Sequence, residues 1–292
     1  MITRKTLTFD HPLLRDLEHP CFEARGAHDG PRLTLMAGVH GCEYSSIAAA
    51  TRFMRELDTA ELSGTIVALP IASLESFRRR SPFVVPIDGK NLNRSFPGDP
   101  DGGYTDALAA AILQTLIAPA DAVIDLHGGD MVESLEPFAI YESDESEALA
   151  QAFGLPYVTR AKAPSGMTCS AAGGPAIIAE AGGIGQLEEA AVELLVDGTR
   201  NALRHLGMLP GGAEPRSVTT LGEHRFVNGV RGGWWETAVA TGASVREGES
   251  LGVIKDLFGD VVETVASPQD GVVLWQTTSP AVGENGLLLG LA

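Results

Sequence analysis

The sequence predicts an α/β sandwich built on a mostly parallel or mixed sheet, followed by a small all-β unit. Three observations carry this. Short apolar runs recur over the first two thirds of the chain, most of them continuous rather than alternating, as strands covered on both faces require. Helical stretches fall between those runs, the pattern of an α/β fold. From about residue 210 no helical period appears, and short valine-rich pieces alternate with glycine turns, as in a small antiparallel β domain or barrel.

Taken in order, the expected strands are "LTLMAGV" (33–39), "TIVALPIA" (65–72), "DAVIDLH" (121–127), "PFAIYE" (137–142), "LPYVTR" (155–160) and "PAIIAEA" (175–181). The expected helices are "SSIAAATRFMREL" (45–57), "TDALAAAILQTLIA" (105–118), "SEALAQAF" (146–153) and "LEEAAVELLVDGTRNALRHLG" (187–207). Thr105 and Ser146 carry the hydroxyls of N-caps, and Gly207 has the freedom of a C-terminal stop. "LPGGAEP" (209–215) reads as a linker, dividing the chain into domains over 1–210 and 211–292.

Composition excludes several classes. A net charge of −17, with four lysines among 21 basic residues, repels nucleic acid and anionic membrane. No apolar run approaches the roughly 18–20 residues of a membrane span. The N-terminus "MITRKTLTFDHPLLRDLEHP" has no apolar signal core, so a soluble, cytoplasmic protein is expected. Cys21, Cys42 and Cys169 share no CxxC spacing and support neither a disulfide framework nor a cysteine zinc site.

The chemistry gathers where strands end. "LTLMAGV" runs into His40, "DAVIDL" into His127 and "PAIIA" into Glu180. Ligands of open α/β sheets bind in the crevice outside the carboxyl ends of the strands, so the three side chains would share one rim. With glycines at 38 and 41 permitting a tight strand-to-helix turn, His40 and Glu43 project the same way at i, i+3. Zinc accepts imidazole nitrogen and carboxylate oxygen, and a catalytic site supplies three protein ligands with one position open. His127 is the natural third donor, with Asp125, two residues earlier on the same strand face, orienting an imidazole. The plainer alternative is a polar strand-to-helix turn.

Two further stretches stand out. "DGKNLNRSFPGDP" (88–100) carries Lys90, Asn91, Asn93 and Arg94, a fork of donors suited to a carboxylate, or else a solvated loop. Glu180 closes a run as apolar as "PAIIA", where burial would raise its pKa into the range of a general base; the alternative is a helix cap.

Together "GVHGCE" (38–43), "NLNRSFPG" (91–98), "DLHGG" (125–129) and "AIIAEAGG" (176–183) resemble, in order, the motifs of the succinylglutamate desuccinylase/aspartoacylase family, the deacylase branch of the zinc carboxypeptidase superfamily. The tail resembles that family's C-terminal biotinyl/lipoyl-like β barrel. The resemblance implies one Zn2+ per chain on His40, Glu43 and His127, a general base at Glu180, and a substrate-carboxylate anchor at Asn93 and Arg94. It also implies an arginine that polarises the scissile carbonyl. Arg80 is the candidate, with Arg78 and Arg79 competing, and no assisting tyrosine is identified among Tyr44, Tyr104, Tyr141 and Tyr157. The expected activity is amide hydrolysis of a small N-acylated amino acid or amine; the alternative is a carboxypeptidase-like enzyme on short peptides. A small molecule is thus the expected partner, and a homo-oligomer is left open. Lys255 does not sit in a methionine-flanked hairpin, so the tail is expected to be structural or gating rather than a swinging arm.

Overall fold

The computed structural model describes residues 1–292. Ten strands precede residue 224: β1 (Ile2–Leu7), β2 (His19–Arg25), β3 (His28–Ala37), β4 (Ser63–Leu69), β5 (Ala122–His127), β6 (Glu133–Leu135), β7 (Phe138–Tyr141), β8 (Tyr157–Arg160), β9 (Ala176–Glu180) and β10 (Thr219–Glu223). All but β6 form one mixed sheet in the order β1-β2-β4-β3-β5-β9-β7-β8-β10. Its central strands β4, β3, β5 and β9 run parallel, whereas β7 lies antiparallel to β9. Five α-helices accompany them: α1 (Tyr44–Glu56), α2 (Leu74–Arg79), α3 (Tyr104–Ile112), α4 (Asp144–Phe153) and α5 (Glu189–His205).

The continuous apolar runs follow from cover on both faces. Along β3, Leu33, Leu35 and Ala37 face a core shared with Phe53 and Met54 of α1, Phe153 of α4 and Leu195 of α5. Met36 faces the opposite core, with Leu108 and Ile112 of α3, because successive side chains alternate across the pleat. Full burial of a side chain such as Phe53 contributes roughly 1.5–3 kcal/mol. The same alternation puts Asp125 and His127 together on one face of β5, away from Ile124 and Leu126.

Residues 225–292 contain strands only: β11 (Arg225–Asn228), β12 (Gly233–Thr237), β13 (Ser244–Val245), β14 (Ser250–Lys255), β15 (Val261–Ala266), β16 (Gly271–Thr277), β17 (Ala281–Val282) and β18 (Leu287–Leu291). They make two sheets, β11-β18-β16-β13 and β15-β14-β12-β17, around a small core that includes Val227, Trp235, Leu251 and Leu289. β6 leaves the first part of the chain and adds itself antiparallel to β16.

Several expectations shift. The division at 210/211 does not coincide with the change of sheet: β10 still pairs with β8 in the nine-stranded sheet, so the passage falls at His224. Nor is "LPGGAEP" a free linker, since Asn201 on α5 holds Glu214 by both its backbone groups, at 2.6 and 3.0 Å. Thr105 does not cap α3, which starts from Gly103; its N–H and hydroxyl both donate to Asp88, at 2.9 and 2.5 Å. Ser143 rather than Ser146 caps α4, accepting the Ser146 N–H at 3.2 Å. Gly207 takes the left-handed conformation expected of a stop, at φ +70°. No helix is long and apolar enough to cross a membrane.

Candidate active site and metal centre

After β3 the chain must turn at once into α1. Gly38 does so at φ +64°, and a Cβ on Gly41 would lie 2.1 Å from the Phe77 backbone nitrogen, so only glycine lets this turn pack on α2. The turn delivers His40 and Glu43, with Glu43 at the N-cap of α1. His127 is the last residue of β5, and its register partner on β9 is Glu180. Three strand ends thus meet at one rim.

The geometry there is specific. His40 Nδ1 lies 2.7 Å from Glu43 Oε1, and His127 Nδ1 lies 3.0 Å from Glu43 Oε2. The donor atoms of all three residues fall within 4.8 Å of one another. Each imidazole turns Nδ1 inward because its Nε2 is anchored from behind. His127 Nε2 donates to Asp125 Oδ2 at 2.9 Å, and His40 Nε2 donates to Asn91 Oδ1 at 3.0 Å. Thr168 in turn donates its hydroxyl to Asp125 Oδ2 at 2.6 Å. Two imidazole nitrogens and a carboxylate, buried and oriented by outer partners, are a donor set that fits a divalent transition metal such as zinc.

Electrostatics agree with a site built for a cation. Burial alone would raise the Glu43 carboxyl, yet His127 and His40 hold it well below the usual carboxylate range. Burial alone would lower His127, but Asp125 and Glu43 push it well above the ordinary histidine value. Glu180 behaves oppositely: burial, with Glu43, Glu133 and Asp125 around it, raises its carboxyl well above the usual range despite the His127 imidazole.

His40, Glu43 and Glu180 open into one cavity of about 600 Å³. Asn93 and Arg94 line it as well. Asn93 is 3% exposed, and its Oδ1 accepts the Thr168 N–H at 3.1 Å, which leaves its amide N–H groups for the cavity. Arg94 donates to the Asn93 carbonyl at 2.7 Å and forms no ion pair with any carboxylate of the chain. It is a cation awaiting a partner.

Other sequence candidates fall elsewhere. Arg78 and Arg79 pair with Glu75 at 3.4 and 2.9 Å. Arg80 has no such pair, but it ends α2 in the left-handed region at φ +50°, exposed and outside the cavity wall. The structure therefore does not bring Arg80 to the cavity that His40, Glu43 and Glu180 line. Lys90 is tied to Asp106 at 2.5 Å, and Lys255 to Glu236 at 2.7 Å. None of the four tyrosines lines the cavity. Cys42 is fully buried, and burial pushes its thiol up to about 11. Sequence reasoning missed Asn91 as the anchor of His40, Thr168 as the anchor of Asp125, and Glu133 on the cavity wall. Asn91 lies inside a motif already singled out; Thr168 carries no local signal.

The far wall comes from the last strands. His224, Phe226, Trp275, Thr277 and Leu287 all face the cavity. Trp275 Nε1 donates to His224 Nε2 at 3.1 Å, and burial, with Arg94 nearby, lowers that imidazole to about 4. His224 is therefore a neutral group near pH 7.

The fold and these motifs have relatives. The N-alpha-acetyl-L-2,4-diaminobutyric acid deacetylase of Halomonas elongata is 31% identical over 267 residues, covering 84% of this chain and 77% of that protein. The product-bound structure of the ectoine utilization protein EutE (DoeB) from Ruegeria pomeroyi superposes with a TM-score of 0.87 at 25% identity, covering 100% of this chain and 95% of that one. A succinylglutamate desuccinylase/aspartoacylase from Rhodobacter sphaeroides superposes with a TM-score of 0.86 at 25% identity, covering 99% and 94%. The profile of the succinylglutamate desuccinylase/aspartoacylase catalytic domain matches residues 29–206. On this evidence the chain belongs to the succinylglutamate desuccinylase/aspartoacylase family.

Proposed function

We propose that this protein is a zinc-dependent deacylase that hydrolyses the amide bond of a small N-acylated amino acid, with an acetyl group the favoured acyl moiety. The carrying observation is that two members of the His40–Glu43–His127 donor set, His40 and Glu43, line the same cavity as Glu180 and the unpaired Arg94. The name of the Halomonas elongata relative supports acetyl, and Arg94, free of any carboxylate partner, supports a substrate carboxylate.

His40, Glu43 and His127 would hold the metal, which when bound acts as a Lewis acid, acidifying a water and polarising the acyl carbonyl. The protein's own groups do the rest. Asn93 and Arg94 bind the carboxylate of the amino-acid half, which converts an encounter into an oriented complex. Glu180, raised by burial, takes a proton from the attacking water at its carboxylate oxygen. A C–O bond forms at the acyl carbon, and Glu180 returns the proton to the nitrogen as the C–N bond breaks. Arg80 is assigned no step.

We read β11–β18 as the family's C-terminal β unit, acting as a wall rather than a carrier. The engagement of Lys255 with Glu236 supports this, as do the residues that β11, β16 and β18 give to the cavity. Such a wall disfavours long peptides. The test is a hydrolysis screen of the zinc-loaded protein on N-acetyl amino acids, N-succinyl amino acids and short peptides, with metal content measured in parallel. Release of acetate at one zinc per chain is expected; turnover of peptides alone would favour the peptidase reading.

A further inference from the structure

Three carboxylates reach the cavity, and two have roles: Glu43 among the metal donors and Glu180 as the base. Glu133 has none. Its Oε2 accepts the Asp130 N–H at 3.3 Å, while its Oε1 accepts no hydrogen bond from the protein. It pairs with no lysine, arginine or histidine, and it stands outside the metal donor set. Burial, with the Glu43 and Asp130 carboxylates, pushes its carboxyl up to about 7. The Asp130 N–H, the His40 imidazole and the Arg94 guanidinium pull the other way without forming an ion pair with it. A carboxylate held half-buried on a cavity wall without an ion-pair partner costs free energy unless something supplied from outside relieves it.

The surroundings specify that something. Glu133 and Leu135 lie on one face of β6, and their register partners on β16 are Thr277 and Trp275. All four line the cavity, so the paired strands present one pleated face to it. Beside Trp275 runs an aromatic wall: Phe226 and Trp275 have ring centres 5.9 Å apart, His224 and Phe226 5.1 Å, and Phe138 and His224 5.8 Å. His224, being neutral, offers Glu133 no competing positive charge. A lone carboxylate beside aromatic faces attracts a cation and repels an anion.

We propose that Glu133 is the residue that selects the substrate, receiving an ammonium group borne on the side chain of the N-acylated amino acid, while Arg94 holds its carboxylate. The proposal rests on the deacylase reading above. It narrows the substrate class to N-acyl diamino acids and sets N-acyl glutamate and aspartate aside.

The experiment compares three substrates on the zinc-loaded full chain: Nα-acetyl-L-2,4-diaminobutyrate, its uncharged near-isostere N-acetyl-L-norvaline, and N-acetyl-L-glutamate. The wild type is expected to prefer the ammonium compound in kcat/KM. Glu133→Gln should lower that preference ratio about 10- to 100-fold, chiefly through KM, the range expected when one charge-assisted contact is lost. Glu133→Lys should shift the preference towards N-acetylglutamate. Calorimetry gives a readout independent of turnover: free L-2,4-diaminobutyrate should bind the wild type more tightly than norvaline does, and Glu133→Gln should erase the difference. Unchanged zinc content shows that the variants are folded. A wild type indifferent to the ammonium group, or a ratio untouched by Glu133→Gln, overturns the proposal and leaves the deacylase reading standing. Hydrolysis of none of the three, with N-succinyl compounds also inert, strikes down the deacylase reading itself.

Discussion

Glu180 and His127 are side-by-side partners on the parallel strands β9 and β5. The register fixes the proposed base next to a proposed metal ligand, without either depending on a loop. Glu180→Gln should keep the site's shape and its zinc but lose the proton acceptor. A fall in kcat of about 10²- to 10⁴-fold is expected at unchanged metal content. Steady-state kinetics with parallel metal analysis checks this, and a wild-type rate would remove Glu180 from the reaction.

Asp125 acts one step further back, through His127 Nε2 at 2.9 Å. Asp125→Asn keeps the volume but weakens the acceptor that fixes the imidazole. Zinc affinity should drop about 10- to 100-fold, read by competition with a chelator. Thr168→Val, which removes the 2.6 Å donation to Asp125, should move affinity in the same direction by less.

Arg94 is an unpaired cation of the cavity wall, as is Lys162, and is held by the Asn93 carbonyl at 2.7 Å. Arg94→Ala should raise KM for a carboxylate-bearing substrate by roughly 10- to 100-fold and leave KM for its methyl ester nearly unchanged. Arg80→Ala, by contrast, should leave both values close to wild type. The two variants assayed side by side separate a cavity arginine from one at a helix end.

Acidity should set metal uptake. His127 is held above its ordinary value in the metal-free protein, so zinc must displace its proton, and apparent affinity should climb with pH by about tenfold per unit for each proton released. Metal-free stability should run the other way. A histidine raised on folding contributes stability that is complete below about 6.5 and is lost as pH rises through the raised value. Glu133 and Glu180, raised by burial, contribute with the same sign. Thermal melts of chelated and zinc-loaded protein from pH 6 to 9 should therefore diverge as pH increases.

Much of this was legible because strand ends and buried runs leave marks in sequence. The six apolar runs correspond to β3, β4, β5, β7, β8 and β9, since cover on both faces demands unbroken hydrophobicity. His40, Glu43, His127 and Glu180 were visible as polar residues ending such runs. β1 was not, because an edge strand needs no such signal: it reads ITRKTL and is largely exposed. β2, paired on both sides, hides its buried Cys21, Phe22 and Ala24 among His, Pro, Glu and Arg. β6 escaped for a different reason, being three residues long and paired with a strand far along the chain. Glu133 went unseen with it. The caps at Thr105 and Ser146 misled because a buried hydroxyl can serve a distant backbone or carboxylate group as readily as its own helix.

The pairing of β6 with β16 also has a bearing on time. Thr277 donates its hydroxyl to the Val132 carbonyl across 145 residues of chain, and such distant contacts are slow to close because loop entropy is lost before they form. During synthesis, His40, Glu43, His127 and Glu180 all emerge well before Trp275 and Thr277 do. A nascent chain can therefore bring His40, Glu43, His127 and Glu180 together while the opposite wall is still unmade, so on the reading proposed above metal binding would precede the choice of substrate.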